Sequence, residues 1–403
     1  MFATLRSLPR TVWLIGLISL VNDSASEMLY PLIPLYLSSV LMAGPKALGL
    51  IEGVAEATAS LLKLFSGVLV DRTRKSKPLM VVGYLLAGVG RPLIAFISSW
   101  PMLLLIRFTD RVGKGLRSSP RDALLASSVS PDKRGLVFGV HRAMDNAGAI
   151  VGPLTAALLL GFNVPLRDLF LWSAIPAVLC LVLTAFIQEA PTEAPNREAF
   201  DWQLGDMPPM FKRYLVIVAL FTMGNASSMF LLLKARATGV PQAEIPLLWA
   251  MVSVVASAFS APLAAISDKF GRVRMLTLGY LAFGCSFVGL GLLEKSGWVL
   301  LVLFASYGLF MAATEGVEKA LVADLAPAHK RGTAFGWFNL VTGLFLLPAS
   351  LVFGWLYQSA SPFMAFGFAG GCALTAAALL WFTLPHTLHD GIPARTTSRD
   401  RDS

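Results

Sequence analysis

Ionisable side chains interrupt several long apolar stretches of this sequence. Asp23 and Glu27 are four residues apart in the first stretch, and Glu52 and Glu56 repeat that spacing in the second. Residues four apart share one face of a helix. The fourth stretch carries a mainly basic series along one side: Arg107, Asp110, Arg111, Lys114, Arg117 and Arg121. Charged groups in a lipid bilayer are costly, so they commonly bind a solute or carry protons.

The composition indicates that a membrane holds these groups in place. Of 403 residues, 56% are hydrophobic and 14% are charged, against roughly 25% charged in soluble domains. Apolar runs of about 20 residues are long enough to cross the hydrocarbon layer. Twelve such runs predict an all-α polytopic membrane protein, with helices at 11–40, 47–70, 78–99, 101–128, 135–161, 166–189, 213–238, 242–267, 273–294, 297–325, 332–357 and 361–384.

Basic residues are distributed unequally between the loops of the two sides. One set of loops holds most of the Lys and Arg, whereas the other holds only Lys46, Arg167 and Lys295. Basic loops stay in the cytoplasm. The pattern predicts a multi-pass protein of the cell inner membrane with both termini cytoplasmic. Topology also accounts for the net charge of +9, so no nucleic-acid partner is expected.

An internal repeat divides the chain into two halves. The segment 121–135 aligns with 318–332, and the same offset of 197 residues carries Asp71 onto Asp268. Two related halves are a known transporter architecture, with the solute site between them. We predict a six-helix bundle over 1–190, a cytoplasmic linker over 191–212, a second six-helix bundle over 213–385 and a disordered tail over 386–403.

The loop after the second helix, GVLVDRTRK from Gly67 to Lys75, resembles the G-x-x-x-D-R-x-G-R-R/K signature of the major facilitator superfamily. AAISDKFGR, from Ala264 to Arg272, is a second imperfect copy. The resemblance implies two pseudo-symmetric six-helix bundles. A carboxylate at such a helix end can pair with Arg across the interface and hold one conformation, although membrane anchoring alone would also explain the basic clusters. The gating candidates are Asp71, Arg72, Arg74, Asp268, Lys269 and Arg272.

The fifth helix resembles the antiporter motif G-x8-G-x3-G-P-x2-G-G of that superfamily. Here the motif has Gly139, Gly148, Gly152 and Pro153, followed by an Ala pair in place of the last two Gly. Small residues let helices approach closely, and Pro can bend a helix. The resemblance implies a proton-coupled antiporter, usually an exporter. Ordinary packing of small residues is the alternative.

The same resemblance implies that helices one, four, seven and ten line a central cavity. The substrate and proton-coupling candidates are Asp23, Glu27, Arg107, Asp110, Arg111, Lys114 and Glu315. At 1.5 Å per residue, Asp23 and Arg111 lie about 18 Å and about 15 Å along their helices. We therefore expect Asp23 to face Arg111, so that protonating the acid frees the Arg to bind an anionic solute. Structural salt bridges without a transport role are the alternative.

These features together predict a secondary active transporter of a small organic solute that works by alternating access and uses the proton gradient for export. One alternative is a proton-coupled importer of an anionic or zwitterionic metabolite. Another, of a different class, is a non-transporting membrane sensor or scaffold. The expected partners are the solute, protons and the bilayer, and the expected state is a monomer.

No signature of an enzyme occurs in the sequence. It has no phosphate-binding G-x-x-x-x-G-K-S/T run, no H-E-x-x-H and no nucleophile elbow. Cys180, Cys285 and Cys372 lie in apolar runs without metal-ligand spacing. We expect no enzymatic activity, no cofactor and no metal.

Overall fold

The computed structural model describes residues 8–73, 76–130, 133–187, 204–327 and 330–385, without the side chains of residue 64 and of residues 67–73. Within these ranges the chain forms twelve long helical spans. In the first half they are α1 (Arg10–Ser39), α2 (Pro45–Thr73), α3 (Ser76–Phe96), α4 (Trp100–Ser127), α5 (Arg134–Gly161) and α6 (Leu166–Ala185). In the second they are α7 (Pro209–Ala237), α8 (Gln242–Phe270), α9 (Arg272–Leu292), α10 (Trp298–Leu325), α11 (Arg331–Ser359) and α12 (Pro362–Thr383).

The twelve-helix prediction is confirmed by these spans. Ten of them, among the described residues, are long and apolar enough to cross a membrane on hydropathy alone. The other two are α2 and α4, the helices with the glutamate pair and the basic series. Their charges lower the hydropathy, so only contacts with other helices can keep them in the bilayer.

Both halves break their first helix at the same place. In α1 the helix stops after Leu29 and restarts at Leu32, and in α7 it stops after Gly224 and restarts at Met229. Pro31 explains the first break, since a proline has no N–H to donate and its ring clashes with the preceding turn. The offset of the sequence repeat carries the first break onto the second.

The helices pack mainly within their own half. In the first half α1 packs on α5, and α4 packs on α2 and α3; in the second, α9 packs on α12 and α10 packs on α8 and α9. The halves meet along α2 with α11 and along α5 with α8. The interior of the second half is rich in aromatic rings, with Phe221 stacked on Tyr280 at 3.8 Å and Phe283 on Phe287 at 4.0 Å.

The helix order gives the two membrane faces. We call the face with Arg10, Lys212 and Arg272 the basic side and the other face the opposite side. The halves touch at the opposite side, where the backbone N–H of Lys46 donates to Gln358 Oε1 at 3.0 Å.

Most of the predicted linker lies outside the described residues, as does the predicted tail. A short 3₁₀ turn occupies Leu204–Asp206, and α7 already begins at Pro209. The domain boundaries therefore stay a prediction. Lys330 donates to Asp206 at 2.9 Å, and this bond holds the pKa of the Asp206 carboxyl below its usual value.

Candidate functional site: a charged cavity between the halves

A cavity of about 460 Å³ lies between the two halves. The first half contributes side chains of α1, α2, α4 and α5, and the second contributes side chains of α8 and α10. The charged lining residues are Asp23, Glu27, Lys63, Lys114, Arg117, Arg121, Arg142, Asp145, Glu315 and Lys319. Eight of these ten belong to the first half, so the two walls differ strongly in charge.

The wall from the second half is mostly neutral. Its α8 face carries Trp249, Ser253, Ser257 and Ser260, and α10 adds Met311. The spacings of three and four residues put the α8 side chains on one face of that helix. Serine hydroxyls can hydrogen-bond a solute without requiring it to have a particular charge, and an indole ring offers apolar contact area.

Four of the seven predicted substrate and coupling residues line this cavity. They are Asp23, Glu27, Lys114 and Glu315. The other three, Arg107, Asp110 and Arg111, are buried between α2, α3 and α4 and do not line the cavity. The helical projection grouped all the α4 charges together, but packing divides them between two environments.

The buried group forms a network of ion pairs inside the first half. Arg107 Nη2 lies 2.7 Å from Glu52 Oε1, and Arg91 Nε lies 3.1 Å from Asp110 Oδ1. Asp110 also lies 3.8 Å from Arg107 and 3.5 Å from Arg111. A carboxylate shared by three guanidinium groups keeps these charges compensated in the absence of water.

The expected pairing of Asp23 with Arg111 is wrong in this structure. Arg111 Nη2 pairs with Glu56 Oε1 at 2.8 Å, on the neighbouring α2. Asp23 instead accepts a hydrogen bond from Asn22 Nδ2 at 2.9 Å. The face of α4 that carries Arg111 is turned towards α2.

Two carboxylates of the first half contact the second half directly. Trp249 Nε1–H donates to Glu27 Oε2 at 2.8 Å, and Ser227 Oγ–H donates to Glu52 Oε2 at 3.3 Å. The Tyr30 ring stacks on Trp249 at 4.9 Å. These contacts close the cavity towards the opposite side, at the level of the breaks in α1 and α7.

A further contact between the halves lies nearer the basic side. Arg142 on α5 pairs with Glu315 on α10, and their side chains are 50% and 40% exposed. Lys63, Lys114 and Lys319 are also exposed to solvent. The cavity is thus closed at the opposite side, and solvent reaches the part of it that lies nearer the basic side.

Comparison with known proteins identifies the fold. The family model described as Major Facilitator Superfamily matches residues 15–233 and 214–399. The chain belongs to the major facilitator superfamily. It is a multi-pass membrane protein of a transporter family, not an enzyme.

Individual relatives of this superfamily cover nearly the whole chain. An uncharacterized MFS-type transporter of Methanocaldococcus jannaschii is 35% identical over 94% of this chain and 96% of its own. The multidrug resistance protein MdtH of Salmonella paratyphi B is 25% identical over 87% of this chain and 89% of its own. A crystal structure of the peptide transporter POT superposes with a TM-score of 0.78 at 14% identity, over 92% of this chain and 93% of that one.

The superfamily signature loops are only partly described. The side chains of Asp71, Arg72 and Arg74 lie outside the described residues. In the second copy, Arg272 pairs with Asp324 on α10, lies 3.5 Å from Asp268 and donates to the Ala320 carbonyl at 2.7 Å. Lys269 is exposed. Arg272 thus joins α8, α9 and α10 within the second half, and its pairing across the interface stays a prediction.

The antiporter-like motif brings α5 against α1. A Cβ at Gly148 would lie 2.7 Å from the Leu20 carbonyl oxygen, and one at Gly152 would lie 2.7 Å from the backbone nitrogen of Met28. Such contacts leave no room for a side chain. Pro153 follows directly inside the helix. The motif therefore places Asp23 and Glu27 on α1 beside the α5 wall of the cavity.

Sequence reasoning did not select several cavity residues. Lys63, Arg142, Asp145, Trp249 and Lys319 were outside the candidate set, although each lines the cavity. A signal for α8 existed in the spacing of Trp249 and the three serines. No sequence pattern marks Lys63 as a cavity residue, and the resemblance implied a cavity lined by helices other than α2.

Proposed function

We propose that this chain is a proton-coupled exporter of a small organic solute, working by alternating access in the cell inner membrane. Its basic side faces the cytoplasm in this proposal, as the distribution of Lys and Arg in the loops favours. The structure described above would then be the state that takes up solute from the cytoplasm. The name of the MdtH relative and the antiporter-like motif support the direction.

One observation carries the proposal: Glu27 belongs both to the cavity wall and to the contact between the halves. Its carboxylate lines the solute space and accepts the hydrogen bond from Trp249. Hydrogen bonds to a charged acceptor are roughly twice as strong as neutral ones. Protonation of Glu27 would weaken the contact that closes the opposite side, and this couples a proton to the movement of the halves.

The remaining candidates take different roles in this proposal. Asp23, Lys114 and Glu315 bind or exclude the solute, since they line the cavity. Arg107, Asp110 and Arg111 act through the positions of α2, α3 and α4, because they contact one another and glutamates rather than the cavity.

The experiment begins with a thermal-shift screen of the purified protein against metabolite and drug libraries. The best hit is then followed in proteoliposomes with an imposed pH gradient. We expect the gradient to drive the solute from the basic side to the opposite side. Glu27→Gln and Asp23→Asn should lose gradient-driven flux at nearly unchanged Tm, whereas Glu244→Gln, on an exposed residue outside the cavity, should retain it.

Other outcomes would contradict specific parts of the proposal. Flux of the best hit that ignores the pH gradient would overturn proton coupling. Accumulation towards the basic side would favour the importer. Absence of any flux, with a large loss of Tm in the Glu27 and Asp23 variants, would favour the scaffold.

A further inference from the structure

Asp145 on α5 has surroundings unlike those of the other cavity acids. Its side chain is 16% exposed and lines the cavity, but its Oδ1 atom is buried and has no hydrogen-bond partner among the described residues. A buried anionic oxygen without a donor is costly, whereas a protonated carboxyl reduces that cost. One oxygen of Asp145 therefore favours the acid form.

The second oxygen of Asp145 lies next to the ring of His141. His141 Nδ1 lies 3.4 Å from Asp145 Oδ2, and His141 Nε2 lies 2.8 Å from Ser19 Oγ on α1. The first distance is a close contact and not a hydrogen bond, whereas Ser19 can donate to Nε2 when Nδ1 carries the proton of the ring. His141 is buried, so this chain has a fixed geometry.

The charges around Asp145 are balanced on both sides. Asp23 faces it from α1, Arg121 from α4 and Arg142 from its own helix, and Arg142 is paired with Glu315 of α10. The described α8 residues of the cavity wall carry no titratable group. Asp23 disfavours a second negative charge nearby, and the two Arg favour it. Neither protonation state of Asp145 is strongly excluded.

We propose that Asp145, beside His141 and Ser19, is a second proton-binding acid of the cavity, in addition to Glu27, and exchanges its proton with cavity water during transport. When Asp145 loses its proton to water, the carboxylate stays next to the ring of His141; when it gains one, Oδ1 no longer carries an unpaired charge. This proposal rests on the proposed function and adds a residue outside the predicted set to its proton-binding acids. Tight packing of α5 on α1 at Gly148 keeps Asp145 beside Asp23.

Infrared spectroscopy can test the site without knowledge of the solute. The purified full chain in lipid nanodiscs is titrated with acid and base while the carboxylic-acid C=O stretching band is recorded. We expect one titrating band, distinct from that of Glu27, to be lost in Asp145→Asn, retained in Asp145→Glu and in the control Glu244→Gln, and changed in midpoint in Ser19→Ala. If folded Asp145→Asn keeps every titrating band of the unmodified protein, the assignment is overturned.

A flux measurement separates this inference from the proposed function. With the solute found in the screen, Asp145→Asn should lose gradient-driven accumulation but retain solute exchange without a gradient. If the unmodified protein itself ignores the gradient, the proposed function fails while the infrared result still decides whether Asp145 binds a proton. If the unmodified protein follows the gradient and Asp145→Asn does so equally, only the assignment to Asp145 fails.

Discussion

At the scale of single residues, most of the buried charged side chains among the described residues belong to the first half, and most of the stacked aromatic rings belong to the second. Glu52 is fully buried and accepts two hydrogen bonds from Arg107, at 2.9 and 2.7 Å. Removing one partner of a buried ion pair leaves an uncompensated charge and is strongly destabilising. The main role of this network of ion pairs is therefore to stabilise the folded first half.

The two ion pairs of α2, Glu52 with Arg107 and Glu56 with Arg111, differ in burial, and this difference gives a prediction about stability. Glu52→Gln should lower the free energy of unfolding by about 3 kcal/mol, the range seen when a buried pair loses one member. Glu56→Gln should have a smaller effect, because the Glu56 side chain is 32% exposed and Arg111 keeps Asp110. Thermal unfolding of both variants in the same detergent measures this, and equal losses of Tm would contradict the distinction.

The sequence identified the acids of α1 but not the partners of α4. Asp23 and Glu27 could be chosen because an ionisable pair in the first apolar run needs a reason to be there. The partner of Arg111 could not be chosen, because helix periodicity gives a face and not the helix that this face meets. That choice depends on how close α2 and α3 approach α4, which Gly113 and Gly115 determine.

At the scale of helices, the glycines of α5 have unequal roles. Gly152 faces the backbone of α1, whereas a Cβ at Gly139 would meet nothing within 4 Å. The motif resemblance treats both as equivalent. The contacts show that only the second and third glycines of the motif bring α5 and α1 together.

Matched alanine substitutions should separate these roles. Gly152→Ala should lower the Tm and the yield of folded protein, because its methyl group would force α5 away from α1. Gly139→Ala should be neutral or stabilising by up to about 1 kcal/mol, as alanine has the higher helix propensity. The Tm of the two purified variants tests this, and a loss of stability at Gly139 would contradict it.

Apolar length predicted the helices well, but it did not predict their interruptions. Every span lies within a few residues of its predicted range, since the membrane sets the length of an apolar run. The break in α7 between Gly224 and Met229 was not predicted, because Asn225 and two serines barely change the hydropathy of a long run.

At the scale of the whole molecule, the halves pack closely at the opposite-side end of the cavity. Gly49 approaches Ser350 and Gly354 approaches Pro45, next to the hydrogen bond from Lys46 to Gln358. Small residues on both helices let α2 and α11 pack closely there. In the proposed transport cycle, opening the cavity at this end requires these helices to separate.

A cross-link at that end should therefore stop transport. Lys46→Cys combined with Gln358→Cys, in a chain with Cys285 replaced by Ser, should form a disulfide under mild oxidation. We expect flux to fall to background and to recover on reduction, while solute binding from the basic side persists. Lys46→Cys alone with the same oxidant is the control, and undiminished flux through the cross-linked protein would contradict this picture.

The two walls of the cavity differ in charge, which implies that they have different roles. Nearly all of its ionisable groups belong to the first half, while α8 presents an indole and three hydroxyls. In the proposed mechanism, substitutions at Ser253, Ser257 and Ser260 would therefore change which solute binds without altering the acids to which proton binding is assigned. Such a protein could acquire a new substrate during evolution one hydroxyl at a time.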